Sequence, residues 1–310
     1  MSEFAKKRIE YINNWPNSNM FEAELNYKKR CDDFIDSYGL TPFLPVKMWE
    51  DDDDIFNRAI SHLIDGLEMM PLRPNFAFLF IFSGLDFYAK HTYVSNTTDS
   101  LKKLAEDIYA LATVNSDVKT MLTEMFSAFP VNAGLYLYKC LCGKSNHNNN
   151  VRLKVVTDAS NANIVAHANL VDNIYNHYGY DKTNYDASIR QASLLYRKIF
   201  TKDNLIITGN AVVITDRFRL YLLLLGLIYS LRNDAMHGSS MSSTKSSRSS
   251  PERYALNYYT FLTTYNMFMC ILIMKSSLTQ TQKDQKYTEL KQNTRENIER
   301  FIKLFGNHIK

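Results

Sequence analysis

Glycine and proline are scarce, 10 and 7 among 310 residues. That scarcity argues against an all-β fold, which needs many tight turns. Cysteine is scarcer still, four in all. So few in a chain this long do not make a disulfide framework, and they point to a reducing, cytoplasmic compartment. Long apolar runs are missing too. The longest, Leu220 to Leu231, is about 12 residues against the roughly 20 needed to span a bilayer. Arg217, Arg219 and Arg232 flank it closely, so it predicts a buried helix and no membrane span. The opening MSEFAKKRIEYINNW has no apolar core of the kind a signal peptide carries. Neither sign of charge dominates: 36 Lys and Arg face 32 Asp and Glu, a net charge of +4. This permits an anionic partner without demanding one.

What the chain does have is core material. Hydrophobic residues make up 45%, and 20 Tyr and 18 Phe supply much of the volume. Helical patterns cover about residues 3–14 and 19–37, and Gly39, Pro42 and Pro45 then interrupt them. The acidic run at 50–54 suits the start of a helix, where the dipole favours carboxylates. Helices follow at about 55–70 and from Asn75 onward. The second, NFAFLFIFSGLDFYAKHTYV, is apolar almost all round and so central. Asp99 and Ser100 are read as caps of a helix at 100–114, and another covers about 116–128. An Asn-rich loop at 143–150 opens a different texture. A short strand at VRLKVV, helices at about 160–178 and 186–201, and a hairpin around Gly209-Asn210 follow. The long apolar helix then runs from Thr215 or Asp216 to His237. A serine-rich loop at 239–250 leads to Ser250-Pro251, a cap and first-turn pair for a helix at about 251–276, and a charged helix at about 280–305 closes the chain. The fold class is therefore mainly α: an N-terminal helical extension (1–54), a helical bundle (55–278) with an elaboration at 130–214 that includes a small β-hairpin, and a C-terminal amphipathic helix (279–310).

The long apolar helix ends on SLRNDAMHGSS, residues 230–240. A histidine before a glycine at a helix end is an ordinary cap arrangement, and Arg232 could merely cap carbonyls. Three features favour a functional reading. Arg232 and His237 stand on a rigid, buried element. Asn233 and His237 are four apart and share a face, so Asn233 is placed to orient the imidazole. The negative end of the helix dipole favours a cation at His237.

The phrase LRNDAMHG resembles the motif of the HEPN superfamily: an arginine, a polar residue, three more residues, then a histidine at a helix end. The match falls on Arg232, Asn233 and His237, with Gly238 following. The earlier FLFIFSGLDFYAKH resembles a family helix with an acidic residue inside an apolar stretch, here Asp86. The resemblance implies a helical bundle that dimerises and, in many members, a metal-independent endoribonuclease of toxin–antitoxin or anti-phage systems, with an antitoxin or other regulatory partner. It covers about 55–278 loosely. Some family toxins carry a tyrosine two residues after the histidine as a modification target; Ser239 stands there in this chain. The elaboration at 130–214 exceeds a minimal family domain.

The residue types suit RNA cleavage without a metal or cofactor. A histidine takes the proton of the ribose 2′-hydroxyl or protonates the leaving oxygen. A guanidinium holds the phosphate and stabilises its developing charge. Arg232 and His237 lie about 140° apart on a helix, so two copies across a twofold axis would converge on one phosphate better than one. The site reading is thus Arg232, His237 and Asn233 as catalytic residues in a homodimer acting on RNA. Asp86 needs a buried partner, Arg232 or His237 being one option and a structural pairing elsewhere the other. Lys245, Arg248 and Arg253 are candidates for phosphate contacts; the other reading is a solvated loop. An alternative function is a non-catalytic HEPN-like module that binds RNA or protein. Cys140, Cys142 and His147 lack the fourth ligand that a structural zinc wants. His62 and His91 are read as surface or packing residues, and no role is assigned to His167 or His177. Tyr175, Tyr178 and Tyr180 could stack on bases, core or surface filling being the plainer reading.

Overall fold

A computed structural model describes residues 1–141, 170, 173, 174, 176–178, 185–207, 210–237 and 246–310. The described elements are α1 (Glu3–Asn13), α2 (Glu22–Tyr38), α3 (Asp54–Glu68), α4 (Pro74–Tyr93), α5 (Thr97–Val114), α6 (Ser116–Ser127), α7 (Val131–Leu141), α8 (Tyr185–Thr201), strands β1 (Asn204–Ile207) and β2 (Asn210–Val213), α9 (Asp216–Tyr221), a π-helix (Leu222–Ile228), α10 (Tyr229–Met236), α11 (Pro251–Lys275) and α12 (Gln280–Phe305), then a 3-10 turn at Gly306–Ile309. The mainly α fold expected of the sequence is the fold observed. No described helix is long and apolar enough to cross a membrane.

The core is organised around α11, which Ser250 caps by accepting from the Arg253 N–H, with Pro251 in the first turn. From Thr260 to Ile273 every residue of α11 is buried, as befits a central helix with no polar face. Within this stretch, several polar side chains are satisfied by the helix itself or by α12. Thr260, Thr264 and Asn266 donate to the carbonyls of Leu256, Thr260 and Leu262, and Asn266 accepts from Thr294 at 2.6 Å. Burial of these groups therefore leaves no broken hydrogen bond. α4, α7 and α12 pack against it, and α3 packs on α4. Gly84 lets α4 approach: a Cβ there would lie 2.8 Å from the Phe268 ring.

The N-terminal extension is tied to this core. Residues 41–46 run as an extended strap. Leu44 donates to Asn297, its carbonyl accepts from Asn293 and Asn297, the Thr41 carbonyl accepts from Arg300, and Val46 donates to Tyr265. Tyr27 of α2 stacks on Tyr254 with centroids 4.2 Å apart.

Local signals account for most of the other boundaries. Asp53 caps α3, in line with the acidic run at a helix start, and Thr215 caps α9. The hairpin pairs Asn204 with Val213 and Ile207 with Asn210. Two starts differ: α2 begins at Glu22, not near 19, and α5 begins at Thr97, because Asn96 accepts from the Asp99 N–H and donates to its carboxylate. Asp99 is thus the third residue inside the helix, and its side chain is tied to that of the capping Asn96. The strand expected at VRLKVV lies outside the described residues.

Candidate functional site

The apolar run does form a buried element. From Phe218 to Ile228 every side chain is buried, and Leu222 to Leu225 are fully so. Its middle is not an α-helix, however. Leu222–Ile228 is π-helical, and the Tyr229 N–H donates to the carbonyl of Leu224 five residues back. Such wide turns are uncommon and concentrate at functional sites.

Upstream of the π-helix the element is bolted down. Arg219 is 5% exposed. Its guanidinium donates to the Ile199 and Lys202 carbonyls and to Asp216 and Asp203, all at 2.6–2.8 Å. Arg217 and Tyr221 both donate to Glu106 on α5 at 2.7 Å.

Downstream, α10 carries the motif. Arg232 is half-buried and lies over the Phe82 ring at 5.6 Å, while Nη1 donates to the Asn233 side-chain oxygen at 3.1 Å. Tyr229, one turn earlier, stacks on the same Phe82 ring. His237 closes the helix, and its N–H donates to the Asn233 carbonyl at 2.9 Å. Its side chain is exposed. Asn233 therefore touches both partners, but differently from expectation: its amide oxygen serves Arg232 and its backbone carbonyl serves His237. Among the described residues none bonds the imidazole. Arg232 is left with donors to spare for an anion, and His237 with a ring open to solvent. Asp234 is held by α7, where the Tyr136 hydroxyl donates to its carboxylate at 2.6 Å. Burial, the neighbouring Cys140 and the bond to Asp234 together hold the Tyr136 phenol far above its ordinary range, so it remains a donor.

The other candidates are dispersed. Asp86 is buried on α4, one turn beyond Phe82, and its Oδ2 accepts from Lys90 at 2.8 Å. Its ion pair is thus with its own helix, not with Arg232 or His237. Its Oδ1 is buried without a hydrogen-bond partner among the described residues. Arg248 is exposed over the Phe4 ring of α1 at 5.6 Å, and Ser247 donates to the Phe4 carbonyl. Arg253 is exposed on the first turn of α11. Both therefore stand at the α1–α11 end, where the serine-rich loop arrives. Lys245, Cys142, His147, His167, Tyr175 and Tyr180 lie outside the described residues. His91 packs edge-on against Phe87. Exposed His177, with Gln191 and Lys198, lines a separate cavity of about 320 Å³.

Sequence reasoning missed Phe82, Tyr136 and the second role of Asn233. Phe82 was hidden in a uniformly apolar run, and Tyr136 is 98 residues from Asp234. Comparison with family models, curated proteins and solved structures gave no match to this chain.

Proposed function

We propose that this protein is a metal-independent endoribonuclease of the HEPN type, working in the cytoplasm as a toxin or anti-phage effector and acting as a homodimer. One observation carries the reading: a buried helix ends by presenting a half-buried guanidinium with unused donors and, five residues on, a solvent-open imidazole. In this mechanism Arg232 binds the scissile phosphate and neutralises the charge that builds on its oxygens. His237 removes the proton from the ribose 2′-hydroxyl, the 2′-oxygen attacks phosphorus, and the P–O5′ bond breaks. The second protomer's histidine protonates the leaving 5′-oxygen. Asn233 aims the guanidinium. Arg248 and Arg253 attract the RNA backbone from the α1–α11 end, which makes binding salt-sensitive.

Purified protein is expected to cut single-stranded RNA in EDTA and to leave 2′,3′-cyclic phosphate ends. His237→Ala removes the activity; full cleavage by that variant would exclude this site. A second reading has its own support. The cation–π packing of Arg232 on Phe82 also suits a non-catalytic module that binds RNA or protein, in which the arginine serves packing as much as contact. RNA binding without cleavage across several substrates, weakened in Arg232→Ala, would favour it.

A further inference from the structure

The motif helix poses a mechanical problem. A π-helix bonds each N–H five residues back where an α-helix bonds four back. If Leu222–Ile228 rewound as α-helix, everything after it would turn by about 100°, one residue's worth. No polar face on this segment marks one register over the other. Leu222 to Ile228 are all buried, so a turn would exchange one apolar side chain for another at most positions, Gly226 being the exception. The upstream end cannot move, because Arg219 and the Glu106 pair hold it. Beyond side-chain packing, contacts downstream are therefore what can fix the register of Arg232, Asn233 and His237.

Among the described residues, two kinds of contact that reach other helices from this end bear on the register. Tyr229 and Arg232 lie on the Phe82 ring, a face-on packing that tolerates sliding. Tyr136 donates to the Asp234 carboxylate at 2.6 Å, a short charge-assisted bond that does not. Tyr136 itself sits on a firm base: α7 packs along α8, and at Gly134 the fit is so close that a Cβ would run into the Ser193 carbonyl. We propose that Tyr136 is a positioning residue for the Arg232–Asn233–His237 motif, its bond to Asp234 fixing the rotational register that the π-helix leaves open. This rests on the endoribonuclease reading for its effect on RNA cleavage, but not for its effect on the helix.

The test uses the full chain and two measurements, amide hydrogen exchange and single-turnover cleavage of a single-stranded RNA in EDTA, on Tyr136→Phe, Asp234→Ala and Asp234→Asn. Loss of one charge-assisted bond should speed exchange of the Tyr229–Met236 amides about tenfold in the first two variants, with α11 unchanged and the melting temperature little moved. Cleavage should slow about as much, in the chemical step and not in RNA affinity. Asp234→Asn keeps an acceptor for the tyrosine and should restore both. Unchanged exchange over Tyr229–Met236 in Tyr136→Phe overturns the proposal, as does an Asp234→Asn protein no better than Asp234→Ala. A wild-type protein that cuts no RNA refutes the proposed function instead, and the exchange comparison still decides the positioning role.

Discussion

Two arginines on one continuous helical element, thirteen positions apart, have opposite environments. Arg219 is 5% exposed, with four protein acceptors at 2.6–2.8 Å. Arg232 is half-buried, with one hydrogen bond and one ring beneath it. A guanidinium has five N–H donors. Where the protein takes up most of them, the arginine is part of the framework. Where donors are left over at the surface, it can serve an anion. The same residue type thus anchors one end of the helix and forms part of the candidate site at the other.

The comparison can be broken by substitution, starting with the largest effect. Arg219→Ala removes a buried cation, takes a donor from the Ile199 and Lys202 carbonyls, and leaves the partly buried Asp216 carboxylate without its ion pair. It should cost about 3 kcal/mol in urea unfolding, and a loss under about 1 kcal/mol would show that the bolt is not structural. Arg232→Ala should cost only about 0.5–1 kcal/mol, the worth of a half-exposed cation–π contact, yet lower RNA cleavage about a hundredfold. A large stability loss without a change in cleavage would make the two arginines alike. His237→Ala, at an exposed cap, should leave stability within about 0.5 kcal/mol while removing cleavage.

The smallest effect sharpens the series with an intermediate case. Arg30 donates to the Leu304 carbonyl at 3.3 Å and bonds His308 at 2.8 Å, and His308 in turn meets Glu252 at 2.6 Å. Burial works to raise the Glu252 carboxyl, but hydrogen bonds from His308, its own N–H and Ser250 outweigh it and hold it below its ordinary 4.5. A carboxyl lowered on folding stabilises fully above its unfolded value, and that stabilisation fades as the pH falls through the folded one. The protein should therefore lose a small increment of stability below about pH 4.5, and Glu252→Gln should flatten that part of the urea-midpoint profile. An unchanged profile would mean that this cluster does not pin the C-terminal turn.

How much of this was legible depended on the range of each interaction. Ser250-Pro251 and Thr215 marked helix starts because capping is decided within three residues. The hairpin followed from Gly209-Asn210 between two β-branched runs. Two local signals were there to be used and were overlooked. Asn96 three residues before Asp99 is an N-cap signal, and Asp86 with Lys90 four residues on is a helix ion pair. The tie from Tyr136 to Asp234 spans 98 residues, and no pattern in either segment announces it. The π-helix was illegible for another reason: a run of leucines reads the same in either register.

The sequence alone determined that this chain is helical, where most helices begin, and that Leu220–Ile228 is buried, because propensity, capping and apolar content act over one or two turns. Only the tertiary structure decided which arginine is consumed and which is left available, and which way the helix end faces. Those outcomes depend on acceptors that arrive from distant segments: the Ile199 and Lys202 carbonyls, Glu106, Phe82 and Tyr136.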